Sequence, residues 1–131
     1  MSHLKELDLY VSRLIGNYSD AVEAKGMLKW LFSSGTPGLM PDGTLPPDIE
    51  GQTRQAWANI FAALEAAGMK PSDIIKVTTT VVREEDIPMT VTVRHELLGE
   101  KRPALMLSVV KQLMRPSFLV ELEIIAAAPV G

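Results

Sequence analysis

The chain contains no cysteine. This excludes a disulfide framework, a thiol nucleophile and any Cys-ligated metal site, and it fits a reducing compartment. Histidine is almost as scarce. His3 and His95 stand far apart with no HxxxH or HxH pair, so no metal site is expected and no Ser-His-acid triad is visible. Positive charge is not in excess. The net charge is −3 and there is no basic run, which speaks against a protein whose affinity rests on neutralising nucleic-acid phosphates. No window reaches the ~18 uncharged apolar residues of a membrane span. The N-terminal MSHLKELDLYVSRL places Lys5, Glu6 and Asp8 among its apolar residues, unlike a secretory signal. SSGTPG at 33–38 lacks the GK[ST] ending of a phosphate loop. A turn of this kind can still offer backbone N–H groups to an anion or a carbonyl oxygen. The expectation is a soluble cytoplasmic protein with no cofactor, no metal, and no nucleic-acid or membrane partner.

What is present is an ordinary globular composition, 47% apolar and 22% charged, in a chain of 131 residues. That length predicts one domain, residues 1–131. MLKWLFSSG at 27–35 alternates and stops at a glycine, which predicts a strand. TPGLMPDGTLPPD at 36–48 is a long loop. Asp48 is placed to cap a helix whose Ile49, Thr53, Ala56, Ile60 and Leu64 make one stripe, widened by Trp57 and Phe61. Gly68 stops that helix. The β-branched run 74–82 predicts a strand, 88–98 a helix opened by Pro88 and ended by Gly99, and 104–110 and 118–128 two further strands. The order is strand, strand, helix, strand, helix, strand, strand. It predicts an α+β sandwich with two helices on one face of a mixed sheet.

Two strands carry residues that need explaining. In 118–128, Glu121 and Glu123 share a face with Ile125 and Ala127. A carboxylate at the border of a buried zone needs a polar partner, or its pKa rises, and either outcome suits acid–base work. The expectation is a largely buried Glu121 near a subunit interface and a Glu123 paired to a cation. In 104–110, Ala104, Met106, Ser108 and Val110 share one face, and Leu105, Leu107 and Val109 the other. Both faces are apolar, so both are covered. Helices supply one cover; a second subunit is expected to supply the other.

NYSDAV at 17–22, FSSGTPG at 32–38, IEGQTRQAWANIFAALEAAG at 49–68, DIIKVTTTVV at 73–82, RPA at 102–104 and VELEIIA at 120–126 follow one another as they do in the Rid (YjgF/RidA) family, which the chain resembles over nearly its whole length. The resemblance implies a chorismate-mutase-like fold, a homotrimer built round a central barrel of sheets, and small-molecule clefts between subunits. Active members hydrolyse enamines and imines such as 2-aminoacrylate without a cofactor. By that resemblance Glu121 matches the glutamate beside the attacking water, Tyr18 a cleft tyrosine, and Ser34 and Gly35 the cleft turn. The family's carboxylate-binding arginine directly follows Pro-Ala, and here that position is Leu105.

A leucine cannot replace a bidentate guanidinium. Leu105 is therefore expected to line the cleft from the non-core face of its strand, with little or no deaminase activity on 2-aminoacrylate or small imino acids. Arg102 lies roughly 10 Å along the strand and does not simply substitute; a neighbouring subunit's Arg102 or Arg94 could reach the cleft in its place. The family's Asn-x-x-Tyr is also missing where VTVRH stands at 91–95. Two functions compete: hydrolysis of an imine, enamine or related small molecule with Glu121 as base, and a non-catalytic trimer that binds a small molecule or a protein. A ribonuclease role is disfavoured by the acidic balance.

Overall fold

Residues 2–131 are described by the computed structural model. In chain order they form β1 (Leu4–Leu7), α1 (Val11–Ile15), β2 (Ala21–Ala24), β3 (Leu28–Phe32), β4 (Thr36–Pro37), α2 (Ile49–Ala66), β5 (Ile74–Val81), α3 (Ile87–Leu98), β6 (Ala104–Val109) and β7 (Val120–Pro129). One sheet runs β3–β7–β5–β6, with β4 also paired to β7. The β5–β6 pair is parallel and the others are antiparallel, so the sheet is mixed. A parallel pair needs a crossover, and α3 is that crossover. The expected α+β architecture, with α2 and α3 on one face of a mixed sheet, is what the chain adopts.

α2 begins where expected: the Asp48 carboxylate accepts a hydrogen bond from the Gly51 N–H at 2.8 Å. Thr53, Ala56, Trp57, Ile60 and Leu64 are buried. They meet Val77 and Val81 of β5 and Val120, Leu122, Ile124 and Ala126 of β7 in a single core. Each large side chain buried there contributes about 1.5–3 kcal/mol before conformational entropy is counted. Gly68 at φ +69° and Gly99 at φ +62° turn the chain after α2 and α3, in backbone space that other residues rarely adopt. The buried Gln52 amide donates to the Pro46 and Ser117 carbonyls, at 3.0 and 3.2 Å, and accepts from the Leu119 N–H at 2.8 Å. It thereby fixes both the 38–48 loop and the entry to β7.

The N-terminal third corrects the expected order. Four strands and a five-residue helix precede α2, not two strands. β1 and β2 form a separate two-stranded sheet. Its strands are four residues long and α1 is a single short turn, so neither carries a periodic signal. They are held by distant polar contacts, such as the Arg102 N–H donating to Glu6 at 2.7 Å. No helix among the described residues is long and apolar enough to cross a membrane.

Candidate functional site

A cavity of about 420 Å³ opens between α3, β6 and the segment after α1. Ile87 and Val91 of α3, Leu105 and Leu107 of β6, and Ile15 form its apolar walls, and Tyr18 and Arg94 are its polar side chains. Its size is typical of small-molecule sites.

Tyr18 is placed by its neighbours. The Ser19 N–H donates to the Pro103 carbonyl at 3.2 Å, and the Ser19 hydroxyl donates to the Arg102 carbonyl. This clips the segment to the start of β6. Asp20 accepts from the Leu9 and Ser12 N–H groups, at 2.7 and 2.9 Å, and from the Ser12 hydroxyl at 3.1 Å. Desolvation pushes the Asp20 pKa up, but these hydrogen bonds and the charge of Arg13 outweigh it, so the net shift is downward.

Leu105 pairs with Val77 across the β5–β6 ladder and packs against the core. It therefore points to the helix side of the sheet, not to the open face expected for it. The cavity lies on the helix side because α3 stands far enough from β6 to leave a gap. Arg102 is not part of the lining. Its guanidinium meets Asp8 at 2.5 Å, and that contact holds its pKa up.

Arg94 belongs to the same cavity as Leu105 in the same chain. Only 5% of it is exposed. Its burial lowers its pKa, against a smaller opposing influence from Tyr18. No carboxylate of the described residues comes within ion-pair range of it. The sequence held a signal for this placement. Ile87, Val91, Arg94 and Leu98 recur at intervals of 4, 3 and 4, so an arginine stands on an inward stripe of α3.

Ser34, Gly35 and Glu121 form a second cluster. Glu121 lies between Thr80 of β5 and Pro37 of β4 in the sheet and is half-buried. Its carboxylate packs on Gly35 so closely that a methyl group there would stand 2.0 Å from Oε1. The turn is fixed by Ser33, whose hydroxyl accepts from the Ile124 N–H at 2.8 Å and donates to the Ser34 carbonyl at 3.0 Å. The Thr36 hydroxyl donates to the same carbonyl at 2.9 Å. Glu123 is exposed and forms no ion pair among the described residues, which corrects the expected pairing. Thr78 is its partner across the sheet, and Lys76, two residues along β5 on the same face, stands diagonal to it without forming an ion pair.

Within one chain, then, Tyr18, Leu105 and Arg94 meet at one place, and Ser34, Gly35 and Glu121 at another. Glu121 lies on the open face and Leu105 on the helix face, with β5 between their strands.

The family model described as Endoribonuclease L-PSP matches residues 11–128. A RutC family protein of Pyrococcus horikoshii is 38% identical over 114 residues, covering 86% of this chain and 87% of that one. The 2-iminobutanoate/2-iminopropanoate deaminase of Escherichia coli is 35% identical over 82 residues, 63% of this chain and 62% of that one. Among solved structures, the Rid-family protein YyfB of Yersinia pestis superposes with a TM-score of 0.85 at 24% identity, over 97% of this chain and all of that one. RidA of an Antarctic Psychrobacter gives 0.73 at 26% identity, over 98% of this chain and all of that one.

Proposed function

The chain belongs to the Rid (YjgF/RidA) family, and on that premise we propose that it hydrolyses an imine, or an enamine through its imine tautomer, in a cleft that two chains complete. One chain contributes the cavity beside Leu105 and Tyr18; the next contributes Ser34, Gly35 and Glu121. The observation that carries this reading is the Glu121 carboxylate resting on Gly35. No cation among the described residues forms an ion pair with it, and the glycine leaves room for it to lie over the turn.

The reaction needs little more than a positioned base. Glu121 takes a proton from a water molecule while the water oxygen bonds to the imine carbon. The imine nitrogen gains a proton, which gives a carbinolamine. A second proton reaches that nitrogen, the C–N bond breaks, and ammonia leaves as the carbonyl forms and the hydroxyl proton is released. General-base help of this kind contributes about 10²–10⁴ in rate.

The test generates imines in situ with an amino-acid oxidase and follows ammonia release. The wild type should accelerate release above the uncatalysed rate, and Glu121→Gln should return it to background. No acceleration with any imine would leave the second reading, a trimeric binding module. The observation favouring that one is Leu105 at the position of the family's carboxylate-binding arginine.

A further inference from the structure

We propose that Arg94 is the anion-binding group of this chain, and that the cavity it lines takes a monoanionic carboxylate with a branched or aromatic hydrocarbon body. The proposal rests on the cavity's being the substrate half of the cleft.

The other five arginines have partners. Arg54 pairs with Glu50 and Glu96, Arg83 with Asp86, and Arg102 with Asp8. Arg115 lies over the Phe118 ring at 5.4 Å, and Arg13 donates to the Leu9 carbonyl at 3.4 Å. Arg94 is the buried one, and it has no counter-ion among the described residues. A guanidinium taken out of water without a counter-ion is costly. It is tolerated when a bound anion completes it, and its planar fork suits a carboxylate held by two parallel hydrogen bonds.

The rest of the wall selects among anions. Among the described residues Arg94 is the single cation lining the cavity, so a phosphate dianion would leave charge unmatched. A metal ion would be repelled, and a neutral ligand would leave the guanidinium unneutralised. The remaining walls are apolar side chains, Met106 among them, apart from the Gly16 backbone and Tyr18, whose hydroxyl suits a carbonyl or imine group beside the carboxylate. A three-carbon acid would fill a small part of 420 Å³ and leave water against alkyl walls. A body of six to nine carbons, roughly, covers them and gains their burial. Leu105 then has a role: where the family resemblance predicts a guanidinium, this chain has hydrocarbon against which the substrate body rests. The charge has moved across the cavity to α3.

The experiment is calorimetric titration of the full chain with 2-oxo acids, which keep the carboxylate and body of the corresponding imino acids. 4-Methyl-2-oxopentanoate and phenylpyruvate should bind about tenfold or more tighter than pyruvate. The methyl ester of the first should lose about tenfold, as should Arg94→Met, which keeps length and removes charge; Arg94→Lys should recover part of it. Equal binding by acid and ester, or by wild type and Arg94→Met, would overturn the proposal. Ligand-free Arg94→Met should melt at or above the wild type, because it removes an unpaired buried charge. Melting several degrees lower would show a structural counter-ion from a neighbouring chain and would equally overturn it. Arg94-dependent binding without ammonia release would sink the hydrolase reading alone. Ammonia release indifferent to Arg94 would sink this proposal alone.

Discussion

The Glu121 carboxylate and Gly35 are in such contact that any side chain at residue 35 must displace the carboxylate: an added Cβ would lie 2.0 Å from Oε1 and 2.8 Å from Cδ. Those atoms end a flexible side chain, so Gly35→Ala should fold with a loss of no more than about 1 kcal/mol, while its ammonia-release rate falls roughly tenfold or more as the base is displaced. Gly38 provides the contrast. A Cβ there would meet the backbone of Gln52, at 2.2 Å from its carbonyl oxygen and 2.6 Å from its Cα. Neither neighbour can rotate away, so Gly38→Ala should cost about 2–3 kcal/mol in denaturant melts. Similar stability losses in the two variants would contradict the distinction.

Asp20 links acidity to the cavity wall. Its folded pKa is depressed, so the stability it contributes is present above the unfolded value of about 3.9 and is lost as pH falls through the lower folded value. Asp20→Ala should release the Leu9–Ser12 segment, loosen the wall at Ile15 and Tyr18, weaken ligand binding, and lower the melt at neutral pH by the stability the carboxylate supplies there. Its stability should also fall off less steeply below pH 4 than that of the wild type. An unchanged acid limb would refute the role.

The open face of the sheet carries an aromatic pair. Trp30 and Phe32 stack at 6.4 Å between centroids, with 51% and 69% of each exposed. Met106, on the same face, is 53% exposed. Burial of this face in a trimer predicts sedimentation at three times the 14.3 kDa chain mass. Trp30→Glu with Phe32→Glu should give folded monomers. A wild-type monomer would remove the shared cleft.

Much of the fold could be read from periodicity. The α2 stripe, the β5 run and the glycine stops after α2 and α3 are local signals, and the structure places them within a residue or two of expectation. Face assignment went further astray. Leu105 alternates correctly with Met106, but alternation cannot say which face meets helices, because β6 is apolar on both. The β1–β2 hairpin and α1 depend on contacts from Asp20 and Arg102 that are distant in sequence, and so left no pattern. Arg94 was legible as a candidate for the cleft, but from a neighbouring subunit and not beside Leu105 of its own chain. Its meaning depends on the gap between α3 and β6, which no spacing encodes. The paired cation expected for Glu123 failed for a similar reason: sequence gives the shared face of a strand, not what lies opposite it.

The shared cleft is tested most directly by mixing two chains that are each defective in a different half. Glu121→Gln removes the base, and Leu105→Trp fills the cavity. Each variant alone should form trimers and release no ammonia above background. Refolded together in equal amounts, about a quarter of the clefts in randomly assorted trimers pair two intact halves. About a quarter of the wild-type rate should then return. Mixed trimers that stay inactive, while the wild type is active, would place both halves of the site within one chain and contradict the shared cleft.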